Sequence, residues 1–443
     1  GRQIGIGSIE MRRDHLQVWD NDNQRHQISI SQQGSSIHAQ GGIHIDGTNR
    51  INVEASNIHS NSGHIALNSR NLAIQSGREQ DIYSDKFYSK NKDMLSSTQT
   101  RSHSGHQHDT AVAANISGKT IGIHAEQDIR VSGSHIVSEE STQLGAAGNI
   151  NIAAAQNRMQ NSLSTETQKS GLTASLSDGV ASAGYSKSRQ SLQQSGASER
   201  LALSQIGSLK GNTTLVAGEA LDINAGRLNA GGNLILQGRE VGLNAAHITD
   251  SNHTTQQSQQ SGLSVGITYG PVKAAKSAYD KSMAGSQNSG SAVGKWFAHD
   301  IAILKASQAA MSPTVITGGR SRSSADERSS HTQAVVSEAA AGGKLLIQAT
   351  GGSIRSEGAQ MSAEGDALLH ARDHINLGFA RSSQSQTAGS RRSGFSIDTR
   401  DHSTPGGTFN DSGSGDSLIR AGRAYRQTGS DVYADGNIDI AAQ

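Results

Sequence analysis

The chain has no cysteine, so disulfides, zinc–thiolate sites and thiol nucleophiles are excluded. Its absence over 443 residues fits export of an unfolded chain through an oxidising compartment, where stray disulfides are a hazard. Proline is nearly absent too: Pro271, Pro313 and Pro405 are the only three. Aromatic residues make up 3% and hydrophobic residues 33%, too little bulky apolar material for the roughly three globular cores that length alone would suggest. No charge dominates either. Lys plus Arg is 39 and Asp plus Glu is 38, which leaves no electrostatic footprint for nucleic acid or for an anionic membrane. No apolar run approaches the roughly 18 residues that a membrane-spanning helix requires. Disorder is excluded in turn, because charged residues are only 17% and apolar residues recur in ordered pairs throughout.

Those pairs are the main positive signal. Ile43/Ile45, Ile51/Val53, Ile65/Leu67, Leu72/Ile74, Ile121/Ile123, Ile129/Val131 and Ile150/Ile152 all alternate at period two, the pattern of short strands. An internal match over residues 212–250 sets the longer period. Val216 matches Leu236, Gly218 matches Gly238, Leu221 matches Val241, Ile223 matches Leu243, Ala225 matches Ala245 and Leu228 matches Ile248, each 20 residues apart. The unit reads apolar-x-apolar-x-small, a short corner, the same again, then one more apolar residue. Ile43, Ile45, Gly47, Ile51, Val53, Ala55 and Ile58 form a second copy. Ile121, Ile123, Ala125, Ile129, Val131, Gly133 and Ile136 form a third. Leu369, Ala371, Ile375 and Leu377 fit it; a degenerate copy is read through Leu418, Gly422, Tyr425 and Val432, and another starts at Ile438 and Ile440.

Strands this short cannot bury themselves. Stacked coil on coil they can, each bonding above and below while its inward Ile, Val or Leu joins a column. A period near 20 with three strands per unit predicts an all-β fold, a parallel β-helix; that it is a right-handed parallel β-helix is a family-level expectation, which the crossover rule supports. Asn224 and Asn244, one period apart, are expected to stack. The chain is read as one solenoid over residues 1–443. It starts at Gly1 without a signal peptide, and it reads as an interior piece of something longer.

Four excursions break the period, at about 79–118, 156–211, 249–340 and 380–416. They contain all three prolines, as the exclusion of proline from interior strands requires. Three begin alike. A Ser/Gln/Thr-rich run leads to Ser170-Gly171-Leu172-Thr173, to Ser261-Gly262-Leu263-Ser264 and to Ser393-Gly394-Phe395-Ser396. These are expected to be long β-hairpin arms. In the longest arm, Val272–Met283 is Ala/Lys-rich, and Val293, Trp296, Phe297, Ile301 and Leu304 fall near one helical face, so a helical hairpin is expected at its tip. Such an element either touches a membrane or receptor or packs on its own neighbours, and packing is the commoner use.

Chemistry is harder to find. Gly415-Asp416-Ser417-Leu418 spells a hydrolase motif, but no His follows Ser417 and no α/β pattern surrounds it. His103, His106 and His108 with Asp109 are the densest imidazole group, and an extended strand puts His106 and His108 on one face. They lack a fixed fourth ligand, so a solvated polar segment is the better reading. Arg320, Arg322, Arg391 and Arg392 are isolated basic spots. Asp46, Glu54, Asp128 and Asp222 fall out of register, unlike the acidic clusters of β-helical lyases. No catalytic, cofactor-binding or metal residue is assigned, and neither an enzyme, a cofactor nor a small-molecule substrate is expected.

Gly148–Ala153 (GNINIA), Gly231–Leu236 (GGNLIL) and Glu240–Ala246 (EVGLNAA), taken with the Ser/Gln/Thr runs that precede the Ser-Gly-Leu signature, resemble haemagglutinin repeats. The resemblance runs from about residue 40 to the end. Such repeats occur in filamentous haemagglutinins and in two-partner-secreted exoproteins, including adhesins, haemolysins and contact-dependent growth inhibition proteins. It implies a surface filament of a Gram-negative bacterium, exported by an outer-membrane two-partner secretion transporter, with a target or host cell surface as partner. Two roles stay open: support of toxin delivery across a target outer membrane, and adhesion to host cells or within a biofilm.

Overall fold

A computed structural model describes residues 2–177, 180–268, 314–398, 408–411 and 418–442. All regular elements among them are strands, and the parallel β-solenoid expected from the periodicity is what they build. The helical hairpin expected between Val272 and Leu304 lies outside the described residues, as do Ser417 and the three prolines.

The chain winds through three parallel faces in fixed order. The first stacks residues 43–47, 64–69, 120–125, 142–146, 213–217, 234–238, 345–349, 367–371 and 438–442. The second stacks 3–6, 50–54, 71–75, 129–132, 150–153, 220–224, 240–244, 354–357 and 375–378. The third stacks 36–39, 57–60, 115–118, 135–138, 204–208, 226–230, 338–341, 360–363 and 431–434. Alternate residues point inward. Ile150, Leu221, Val241 and Ile354 form one fully buried column on the second face, and Ile152, Ile223 and Leu243 form the next. Each such side chain contributes on the order of 1.5–3 kcal/mol of hydrophobic burial. Asn224 pairs directly above Asn244, as expected.

Leu228 stacks on Ala339 and not on Ile248, which lies in the hairpin strand Ala246–Thr268, and two other alignments shift. On the first face Leu236 stacks on Leu215 and not on Val216. One extra residue in the corner between the first two faces lengthens that face's repeat there, while Leu221 still meets Val241 twenty residues on. A one-residue slip turns a side chain over, so Leu215 is buried and Val216 faces outward. Leu418, Gly422 and Tyr425 do not form a coil either. Leu418–Gly429 is an antiparallel strand on Ile375–Asp398, and only Val432 of that set reaches the solenoid, above Met361.

The corner between the second and third faces is built in two alternating ways. In one set of coils a single residue turns it with positive φ: Ala55 at 46°, Gly133 at 55°, Ala225 at 50° and Gly358 at 65°. Glycine accepts that conformation without strain, and at Gly133 an added Cβ would also lie 2.4 Å from the Cβ of Ala155. In every intervening coil the same corner opens into a hairpin. A buried serine closes some corners of each kind, among them Ser56 and Ser134 after tight corners and Ser204 and Ser337 at hairpin bases. The Ser134 hydroxyl donates to the Ser132 carbonyl after a tight corner, and the Ser204 hydroxyl donates to the Ala153 carbonyl across the base of a hairpin. Ser134 N–H in turn donates to Ser204 Oγ, which links the two coils.

The hairpins are Ser8–Val18 with Gln24–Gly34, Gly77–Lys92 with Ser96–Val112, Ala155–Ser177 with Val180–Ala202, Ala246–Thr268 with Thr314–Val335, and Ile375–Asp398 with Leu418–Gly429. They do not project separately. Each pairs antiparallel with the next through residues 24–30 with 80–86, 96–109 with 158–171, 180–197 with 251–268, and 317–332 with 383–398. The result is a second, continuous sheet alongside the solenoid. Its spacing explains the alternation. Two coils rise about 9.6 Å, and the two strands of one hairpin occupy about 9.6 Å of sheet, so one hairpin per two coils keeps both ladders in step.

Candidate contact surface on the hairpin sheet

The hairpin strands are rich in Ser, Thr and Gln, which suits a sheet wetted on both faces. Cross-strand ion pairs recur along it: Arg158–Glu199 at 3.2 Å, Arg189–Glu166 at 2.8 Å, Arg200–Asp250 at 2.9 Å and Arg25–Asp85 at 3.3 Å. Hydrogen bonds from Arg189 and then Gln168 hold the Glu166 carboxyl below its usual range. Exposed pairs add little stability but discourage wrong registers.

The distal ends differ. Leu172 pairs with Tyr185, and Tyr185 pairs with Leu263, so the three share one face. Val265 lies two residues beyond Leu263 opposite Ile316, and Phe395 joins the same face through its Arg320 partner. Leu172, Tyr185 and Leu263 are each more than half exposed, at 58%, 53% and 59%. The opposite face carries Thr173, Gly184, Ser264 and Thr317 in one row. An apolar strip therefore runs across the distal end of the sheet on this side. The Ser-Gly-Leu and Ser-Gly-Phe signatures marked three of its members in the sequence. Tyr185, Val265 and Ile316 carried no such mark, because membership depends on pairing register.

The sequence candidates for chemistry take structural partners instead. His106 and His108 do share a face, with ring centroids 5.1 Å apart, but His106 also stacks on Tyr83 at 5.1 Å and lies 3.5 Å from Asp81. Asp109 pairs with Arg78 at 3.1 Å, and His103 lies on the other face. No group of three potential metal ligands occurs among the described residues. Arg320 and Arg322 sit on the strand beside the one that holds Arg391 and Arg392, at different registers. The acids of the solenoid do not converge. Asp46 accepts from Asn68 at 2.9 Å, Glu54 from Gln75 at 3.0 Å, and Asp128 from the Asn149 N–H at 2.8 Å.

Asp222 is the exception in charge. It sits on the second face between Asn151 and Gly242, and burial, then the nearby Glu240 carboxylate, push its pKa up. A carboxyl whose folded pKa is raised disfavours folding once pH rises above its unfolded value of about 3.9. Asp222→Asn keeps the shape and continues the amide below it. The variant is expected to melt higher than the parent at pH 7 and at the same temperature near pH 3. Thermal scans at both values test this, and an equal or lower midpoint at pH 7 contradicts it.

The sequence matches the haemagglutinin repeat family over residues 95–229, 181–296 and 316–443. It is similar to "Toxin CdiA" of Yersinia pestis, 31% identical over 64% of this chain and 9% of that protein. It is also similar to "Deoxyribonuclease CdiA" of Yersinia pseudotuberculosis serotype O:3, 31% identical over 61% of this chain and 27% of the relative. "tRNA nuclease CdiA-2" of Burkholderia pseudomallei is 25% identical over 80% of this chain and 12% of its own length. The chain thus spans only a small part of each relative. The repeat region is a structural segment, and its hairpin-bearing β-solenoid belongs to the haemagglutinin repeat family of secreted, cell-surface exoproteins of Gram-negative bacteria.

Proposed function

We propose that this segment is surface-exposed scaffolding that supports contact-dependent delivery of a toxin across a target outer membrane. The observation that carries the reading is the exposed apolar strip at the distal end of the hairpin sheet. Alternation of exposed Leu, Tyr, Val and Ile with Ser, Thr and Gly is how a strand meets lipid on one face and water or protein on the other. The segment itself performs no catalysis; nuclease names of relatives belong to whole proteins far longer than this chain. Its partners are the outer-membrane transporter that exports it and the outer membrane of the target cell. Folding coil upon coil outside the producing cell supplies the pull on the chain without ATP.

The test is flotation of the purified chain with vesicles of phosphatidylethanolamine and lipopolysaccharide. The parent is expected to float. Leu172→Ser combined with Tyr185→Ser and Leu263→Ser is expected to float at least about tenfold less while keeping its far-ultraviolet spectrum, since each of those residues is already exposed. Equal flotation of parent and variant, or none by the parent, removes the support for membrane contact.

A further inference from the structure

Across the middle of the hairpin sheet runs a trough with a volume of about 890 Å³. It crosses seven strands, from Gly77–Lys92 to Ile375–Asp398, a length of about 29 Å at ordinary strand spacing. Its floor follows one cross-strand row, in which Gly105 pairs with Ser162, Ser162 with Ser195, and Ser195 with His253. The small residues in that row make the depression. Gly105 is constrained here, because an added Cβ would come within 3.1 Å of the Tyr83 carbonyl oxygen. His253 pairs in turn with Arg328, which carries the row onward with bulkier side chains, and His103 lies on the same face two residues from Gly105.

The lining decides among ligand classes. A peptide strand joins a sheet at its edge, through main-chain bonds, but here every crossed strand lies within the sheet with its main chain committed to neighbours on both sides. A polyanion is disfavoured, since Arg328 is bound to Asp326 at 3.2 Å and His253 approaches the same carboxylate at 2.9 Å. Few apolar side chains, chiefly Ile82 and Ala197, line the trough, so a greasy ligand gains little. What the trough offers is a file of hydroxyl, amide and imidazole groups at strand spacing, open along its length. That suits an extended, uncharged polyhydroxylated chain.

We propose that the trough binds a linear glycan laid across the hairpin strands. Its place suggests the source. The floor residue Ser162 and the apolar residue Leu172 are on the same face of one strand, ten residues or about 34 Å apart. If the distal strip rests in lipid, as proposed above, the trough lies at the height of sugars displayed on a membrane surface. The choice of source rests on that reading; the trough itself does not.

The test is titration calorimetry on the full chain with two probes. One is a neutral, unbranched O-antigen oligosaccharide released lipid-free from lipopolysaccharide, and the other is the β-1,4-linked N-acetylglucosamine hexamer. With no aromatic platform in the floor, a dissociation constant on the order of 0.1–1 mM is expected. Binding of the released oligosaccharide in preference to the hexamer supports the membrane source. Preference for the hexamer supports the trough and replaces the source with a cell-wall glycan. Ser162→Tyr with Ser195→Tyr fills the floor and is expected to abolish binding. Ser198→Tyr with Thr254→Tyr places the same bulk on the opposite face, outside the trough, and is expected to leave it unchanged. Binding of neither probe, or binding that survives the filled floor, overturns the proposal. Flotation of the filled-floor variant with glycan-free phosphatidylethanolamine vesicles reports on the strip alone, so the two readings fail separately.

Discussion

Deleting residues 213–233 is expected to lower the melting temperature by about 10 °C or more, whereas the larger deletion of residues 142–233 is expected to change it by less than about 5 °C. The reason is the shared rise of the two sheets. Residues 213–233 are one coil with a tight corner at Ala225. Without them the columns of the solenoid can still close, but the third and fourth hairpins leave adjacent coils, about 4.8 Å apart, where two strands of sheet need about 9.6 Å. The contact of residues 180–197 with 251–268 must then break or buckle. Removing 142–233 takes out two coils and one complete hairpin. The second and fourth hairpins then stand two coils apart, and Ser96–Val112 meets Ala246–Thr268 at the native spacing. Hydrogen exchange resolves the two cases: protection of 251–268 is lost in the short deletion and kept in the long one. Equal damage from both would show that the hairpin sheet does not keep step with the solenoid.

Leu221→Asp should be the most disruptive single change. Leu221 is fully buried between Ile150 and Val241, with no polar side chain in that column. Leu221→Ala leaves a cavity and costs about 2–5 kcal/mol. A carboxyl group there adds desolvation without a partner and raises the cost beyond about 4–5 kcal/mol. In a stack where each coil touches only its neighbours, the damage stays local. Limited proteolysis is expected to cut the Asp variant between about residues 210 and 245 while the coils over 43–150 stay intact. A proteolytic pattern like that of the parent would mean that this column is not the core.

The periodicity of Ile, Leu and Val made the solenoid legible, because inward residues must alternate and must repeat at the coil length. Ile43 through Ile58 and Ile121 through Ile136 fall into the faces as read. Corners were less legible, since an added residue shifts register without changing the apolar pattern, as at Val216. The hairpin sheet was least legible. Its strands are polar on both sides, so no period of buried residues reveals which strand pairs with which. Leu418 and Tyr425 mimicked a coil for that reason. The contact surface shares the limit: Leu172, Leu263 and Phe395 could be noticed singly, but Tyr185 joins them only through the antiparallel register. The trough depends on small residues brought into one row from separate hairpins, and nothing local to Gly105, Ser162 or Ser195 announces it.

The alternation of tight corners and hairpins also decides how the segment carries load. In both sheets the hydrogen bonds run along the long axis, so tension along that axis strains two ladders side by side. A coil with a tight corner, such as that at Gly133, is flanked by coils whose hairpins grip each other across it. It cannot be peeled away until that grip is released. Under a stretching force the segment should lengthen in jumps of two coils, each jump releasing one hairpin, like a double-stitched seam that fails two stitches at a time.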